Sequence, residues 1–198
     1  VDVLRQLQVD ILAIVSSGKV NESHVFDDIA VMQNDDSVTG FSPEKILLVN
    51  SIGSLPGSDL RAKVYDYFKT LNYSFLSVIS PLSMVSPYAH ILEGAQVLNG
   101  AIVNAGAIVG ENSIINSGAI VEHECKIGKN NHIAPGVSLS GSVRTGESVH
   151  IGTGANVIQG ITIGANATVG GGATLTRDLV GNTTIYVAKP FLVVDSLK

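Results

Sequence analysis

The sequence predicts a small α/β segment followed by a parallel β-helix, and three observations carry that prediction. From Ser83 to Gly172 the chain divides into hexads without one insertion, and the third place of each is aliphatic except at Thr145. The first place is mostly small, with Ala89, Ala95, Ala101, Ala107, Ala119, Ala155 and Ala167, and the closing places are rich in Gly and Asn. Residues 1–80, in contrast, alternate helical and strand patterns.

Side chains alternate across a strand, so places one and three share a face and place two points away. Each hexad therefore sends one small residue and one aliphatic plug into the core. Places four to six turn the chain, where Gly and Asn tolerate the positive φ of a corner. Three hexads close one triangular coil of 18 residues, so the 90 residues of the repeat predict five coils, stacked about 4.8 Å apart.

In chain order, Val1, Leu4 and Leu7-Gln8 mark the end of an amphipathic helix, and Ile11 to Val15 reads as a buried strand. A polar stretch and Phe41-Ser42-Pro43-Glu44 lead to a second strand over Ile46 to Ile52. Leu60 to Leu71 is expected to be a helix with Leu60, Val64, Tyr67, Phe68 and Leu71 on its buried face. Phe75 to Ile79 is a third strand, and the alternation argues for a small parallel sheet over residues 1–80. The chain opens inside an element with no strand before its first helix, so an N-terminal strand and its loop are expected to be missing. That loop often holds phosphate in α/β domains, which would remove part of any nucleotide site. Residues 81–198 form the β-helix domain, whose apolar tail from Thr183 to Val194 is expected to cap the last coil.

Composition narrows the function. Charged residues are 15% of the 198 and the net charge is −5, leaving no basic field for nucleic acid or an anionic membrane surface. Apolar runs such as Ile11 to Val15 are far too short for a membrane span, and no signal peptide opens the chain, so a cytoplasmic location is expected. The single cysteine, Cys125, excludes an internal disulfide and a Cys-based zinc site; at a first place it reads as a small core filler.

Against these bland corners, Glu122-His123-Glu124 stands out. A histidine at a fifth place lies outside the core and can accept a proton near neutrality, and either neighbouring carboxylate can orient it. The competing reading is a solvated charged corner. Eighteen residues on, Gly141 should occupy the same corner and leave a backbone N–H open to a ligand, as acyl transfer requires. His132 and His150 are also 18 apart at outward second places, which should stack them within roughly 5 Å. As metal ligands they would need a third group, so a polar ladder or a ligand contact is the preferred reading.

Several motifs carry a resemblance that spans nearly the whole chain. They are Leu48-Val49-Asn50-Ser51-Ile52-Gly53 with Arg61 downstream, Ile115-Asn116 to His123-Glu124-Cys125, His132-Ile133-Ala134-Pro135-Gly136, Leu139-Ser140-Gly141, and Val169-Gly170-Gly171-Gly172-Ala173. The chain resembles the bacterial sugar acyltransferases of the sialic acid O-acetyltransferase type, which include N-acetyltransferases of UDP-4-amino sugars. The resemblance implies a Rossmann-like front domain, a left-handed β-helix and a homotrimer with acetyl-CoA between neighbouring helices. It implies His123 as general base, Glu124 as its orienting partner, and Gly141 donating its N–H to the thioester oxygen. It places Asn116, His132 and Gly171 against substrate or cofactor, and Asn50, Ser51, Ile52 and Gly53 against the sugar or sugar nucleotide. Lys189 is assigned a coenzyme phosphate, in a tail that departs from the family's Val-Gly-x-Pro-Ala. The expected activity is acetyl transfer to an amino sugar, with O-acetylation of a sialic-acid-like sugar next. A zinc-dependent lyase of the carbonic anhydrase type and a non-catalytic sugar-nucleotide scaffold are the alternatives from other classes.

Overall fold

The computed structural model describes residues 1–16, 18 and 24–187. The repeat becomes a parallel β-helix of two-residue strands in three sheets of five, six and seven strands. The seven-stranded sheet runs from Val78–Ile79 to Thr184–Ile185, the six-stranded sheet from Met84–Val85 to Thr174–Leu175, and the five-stranded sheet from His90–Ile91 to Thr162–Ile163. Partners pair in register 18 residues apart, as Ile115 does with Ile133 and Val121 with Leu139. This stacking is consistent with a left-handed β-helix of hexapeptide repeats.

The eighteen strands make six coils, one more than expected. At the front, Val78–Ile79 already pairs with Gln96 and Val97, so the segment read as a third α/β strand splits into Ser74–Phe75 and the first rung of the helix. At the far end the last coil is two residues short: Thr184 pairs with Thr168, and Leu179 bridges Ile163. Asp178 Oδ1 accepts from Thr162 N at 2.8 Å and supplies an acceptor where the shortened coil lacks a strand. Thr184–Ile185 thus covers the seven-stranded sheet, Tyr186 and Val187 are exposed, and residues 188–194 of the expected cap lie outside the described residues.

The first and third places fill the core as expected, with Ala101, Val103, Ala119 and Val121 fully buried. Thr145, the one hydroxyl among the plugs, accepts from Gly128 N at 3.0 Å and Asn131 Nδ2 at 2.5 Å. Asn131 occupies a buried first place, so the two polar core residues satisfy one another.

The front segment begins with helix α1 (Asp2–Gln6), which buries Leu4. Strands β1 (Ala13–Val15) and β2 (Ala30–Met32) pair in parallel, as do β3 (Leu47–Leu48) and β4 (Ser74–Phe75). Among the described residues these remain two separate pairs. Strand β3 is shorter than expected because Asn50 is drawn into side-chain bonds and the chain leaves the sheet there.

Helix α2 (Leu60–Thr70) is rotated relative to the sequence expectation: Arg61, Tyr65 and Phe68 are buried, while Leu60 and Tyr67 are exposed. A charged residue occupies the inner face because backbone carbonyls receive it. The helix lies along one corner of the β-helix, where Lys69 Nζ meets Glu93 Oε1 at 2.7 Å, Tyr65 Oη meets Glu111 at 3.3 Å and Arg61 Nε meets Asn112 O at 3.0 Å. Along α2 the contacts pass from the coil of Glu111 and Asn112, met by Tyr65 and Arg61, to the preceding coil at Glu93, met by Lys69.

Candidate active site

His123 stands on the turn after the strand Ile120–Val121, between the six- and five-stranded sheets. The 18-residue register brings Gly141 against it so closely that a Cβ at 141 would lie 2.5 Å from His123 Nε2 and 2.6 Å from Cε1. Glu124 Oε2 is 3.6 Å from His123 Nδ1, within ion-pair range though beyond a hydrogen bond. Ser142 Oγ donates to the same carboxylate oxygen at 3.3 Å, and Ser142 N donates to His123 O at 2.9 Å. Glu122 accepts from Asn104 Nδ2 at 2.9 Å, so the carboxylate beside the imidazole nitrogen is that of Glu124. Glu124 holds φ at +60°, a conformation that disfavours a long side chain. The corner therefore presents a half-exposed imidazole with an adjacent carboxylate over a surface cleared of side chain, suited to receiving a proton from a nucleophile.

A second group lies on the outer face of the seven-stranded sheet. His132 and His150 stand in register with ring centroids 4.9 Å apart, the stacking that their spacing predicts. His132 Nδ1 donates to Ser54 O at 2.9 Å and Nε2 accepts from Asn116 Nδ2 at 3.0 Å, which fits a neutral ring carrying its proton on Nδ1. Burial lowers the pKa of His132, and burial followed by the neighbouring His132 pushes His150 down to about 4. Among the described residues no three His, Cys, Asp or Glu side chains form a group that could hold a metal.

The loop after β3 reaches this face through a buried clasp. Asn50 Nδ2 donates to Arg61 O at 2.9 Å and Asn112 Oδ1 at 3.1 Å, while its Oδ1 accepts from Ile52 N at 3.3 Å. Arg61 Nη1 donates to Asn50 O at 2.6 Å and Ile52 O at 2.8 Å. The side chain of Asn50 is thereby committed to holding the loop. Ser51 and Gly53 are exposed and Ile52 is half-buried, so they remain accessible to a ligand. Burial lowers the pKa of Arg61 to about 10, which leaves it charged at neutrality.

Two adjoining clefts flank the clasp. One of about 190 Å³ lies between residues 54–62 and the corner residues Asn130 and Ser148, and a wider one of about 550 Å³ extends past Gly57 and His150 to Gly171 and Tyr186. Gly171 thus lines open space at the far end, and Lys189 lies outside the described residues. Cys125 is buried with its Sγ 3.2 Å from Ser140 O, and burial pushes its thiol pKa up, in keeping with a core filler.

Sequence reasoning did not assign Ser142, Ser54 or the buried role of Arg61. Ser142 lies 18 residues after Glu124 and could have been found by the arithmetic that found Gly141. Arg61, Tyr65 and Phe68 share a helical face, but a charge at that position reads as solvated until its carbonyl partners are placed.

Residues 106–141 match the bacterial transferase hexapeptide model of six repeats. No curated protein matches the sequence. Among solved structures, the acetyltransferase domain of PglB from Neisseria gonorrhoeae, in complex with acetyl coenzyme A, is 28% identical, with 96% of this chain and 91% of that chain covered and a TM-score of 0.83. PerB from Caulobacter crescentus, in complex with CoA and GDP-perosamine, is 31% identical, with 92% and 85% covered and a TM-score of 0.81. WeeI from Acinetobacter baumannii, at 21% identity, 92% and 87% coverage and a TM-score of 0.74, shares the fold. With the repeat, the PerB match at 31% identity and near-complete mutual coverage, the chain belongs to the hexapeptide-repeat bacterial sugar acetyltransferases, enzymes dependent on acetyl-CoA.

Proposed function

We propose that this protein transfers acetyl from acetyl-CoA to the amino group of a nucleotide-linked amino sugar destined for a surface glycan, with His123 as general base. The observation that carries the reading is His123 lying directly over Gly141 with the Glu124 carboxylate at its Nδ1 side. The N-acetyl assignment draws on PerB and on a variant of perosamine N-acetyltransferase from the same organism, 29% identical and also in complex with CoA and GDP-perosamine.

The acceptor amine attacks the thioester carbonyl carbon and forms the C–N bond. His123 Nε2 takes the amine proton, Glu124 orients and stabilises the imidazolium, and Gly141 N–H donates to the carbonyl oxygen as it gains charge. The C–S bond then breaks, and the proton passes to the departing coenzyme thiolate, so no acyl-enzyme forms. Ser51, Ile52 and Gly53 contact the acceptor, with Asn50 holding their loop. Asn116, His132, Gly171 and Lys189 contact substrate or coenzyme.

The helix winds left-handed and the working assembly is a homotrimer in this reading. His123 stands on one corner while Asn116, His132 and the 51–54 loop lie on the seven-stranded face, so a corner of one protomer facing that surface of a neighbour would unite the two groups. The exposed Leu82, Met84 and Tyr88 on the first coil offer apolar area for such an assembly.

The test is coenzyme A release from acetyl-CoA across UDP-4-amino sugars, other amino sugar nucleotides and sialic acids. Release should require an amino sugar nucleotide, and His123→Ala should lower turnover at least about tenfold with the oligomer intact. Release with sialic acids alone would replace N- by O-acetylation, and full turnover in His123→Ala would remove His123 from the mechanism.

A further inference from the structure

The smaller cleft holds groups that the proposed acetyl transfer leaves unused. Arg61, only 4% exposed, lines it, and three of its guanidinium contacts go to the carbonyls of Asn50, Ile52 and Asn112. Its Nη2 is buried with no hydrogen-bond partner among the described residues. A buried unpaired donor on a charged group costs more than a neutral one, so a missing acceptor is the natural complement. His150 lines the same cleft, and among the described residues its Nδ1 is the other buried side-chain nitrogen without a partner.

Helix α2 adds to this donor surface. Its eleven residues begin at the cleft, where Ser58, Asp59, Arg61 and Ala62 lie, and the Asp59 side chain makes no capping bond. The N–H groups of the first turn therefore lack a side-chain acceptor, and the positive end of the helix faces the same space. Asp59 carries the opposing charge and is paired with Lys63 Nζ at 2.9 Å. The first turn of α2 lies partway along the corner, while Asn130, Ser148 and Asn166 continue it at 18-residue spacing and form the opposite wall.

We propose that this cleft binds a phosphoryl group, with Arg61 Nη2 and the first turn of α2 as its principal donors and Ser148 on the facing wall. Tetrahedral phosphoryl oxygens suit donors that converge from several directions better than a planar carboxylate does.

The test is isothermal titration calorimetry of the full chain with inorganic pyrophosphate, using wild type, Arg61→Lys and Ser148→Asp. Arg61→Lys removes carbonyl bonds as well as Nη2 and can unfold the clasp. Ser148→Asp leaves Arg61 intact, introduces a carboxylate into the cleft, and occupies a corner with φ +56° that Asp tolerates. Ser148→Asp should weaken pyrophosphate at least about tenfold, with acetate binding far more weakly in both proteins. Equal pyrophosphate affinity in wild type and Ser148→Asp, no binding to wild type, or equal binding of acetate would each overturn the proposal. UDP and CoA identify the source: the one whose affinity falls in Ser148→Asp brings its phosphoryl group here, and a fall in neither overturns a role for the cleft with these ligands. Because the readout is binding, this result stands apart from whether acetyl transfer is observed.

Discussion

Gly141→Ala offers a perturbation whose magnitude follows from one contact. A Cβ at 141 lies 2.5 Å from His123 Nε2 and 2.6 Å from Cε1, whereas ordinary contact needs about 3.5 Å, so the ring must retreat by about 1 Å. The backbone at 141 lies outside the left-handed region, so alanine adds no strain of its own. A misplacement of about 1 Å in a reacting group can cost about 10²-fold, and that is the expected loss of kcat. The assay is steady-state coenzyme A release, with thermal unfolding to confirm that stability is kept. A cycle with His123→Ala isolates the route: if alanine acts by displacing the imidazole, the double variant is no slower than His123→Ala alone. Wild-type turnover in Gly141→Ala, or losses that multiply in the double variant, would refute the argument.

Glu124→Gly should raise Tm by about 2–4 °C, since it relieves a φ of +60° worth about 1 kcal/mol, while lowering turnover about tenfold; calorimetry and the release assay read the two effects. Stability should fall as pH drops from about 6.5 towards 4, because the folded chain holds His150 neutral down to about 4 while the unfolded chain takes up a proton. The depressed pKa of His132 acts in the same sense, and His150→Gln should flatten the fall in urea midpoint; parallel profiles would dismiss the assignment. Cys125→Ala should leave turnover unchanged, and the native thiol should react with a disulfide reagent only on unfolding.

The repeat was legible because its physics is periodic: a six-residue pattern fixes which side chains enter the core, and 18 residues fix what stacks on what. That arithmetic alone placed Gly141 beneath His123 and His132 beside His150. The coil count fell short at the ends. Val78-Ile79 is in frame with the hexads but adjoins the front strand, and the last coil reaches Leu179 two residues early. Buried polar groups were the harder class. The burial of Arg61 and Asn131 depends on partners that only long-range folding brings together, the carbonyls of residues 50 and 52 for the one and the Thr145 hydroxyl for the other. The choice between Glu122 and Glu124 likewise depended on Asn104, one coil below, which binds the former.

The loop from Ser51 to Gly53 is strung between fixed posts: Asn50 and Arg61 pin its start, and Ser54 O is tied to His132. Tension at the two posts comes from main-chain atoms and from side chains outside the span. Substitutions within the span can therefore change what the loop reads while leaving where it sits untouched. A scaffold of this kind separates inheritance of position from variation of taste, and permits specificity to drift by exchange of a few exposed residues. If Ser51 and Gly53 contact the acceptor as proposed, libraries confined to these two exposed residues are the place to redirect this protein to a new one.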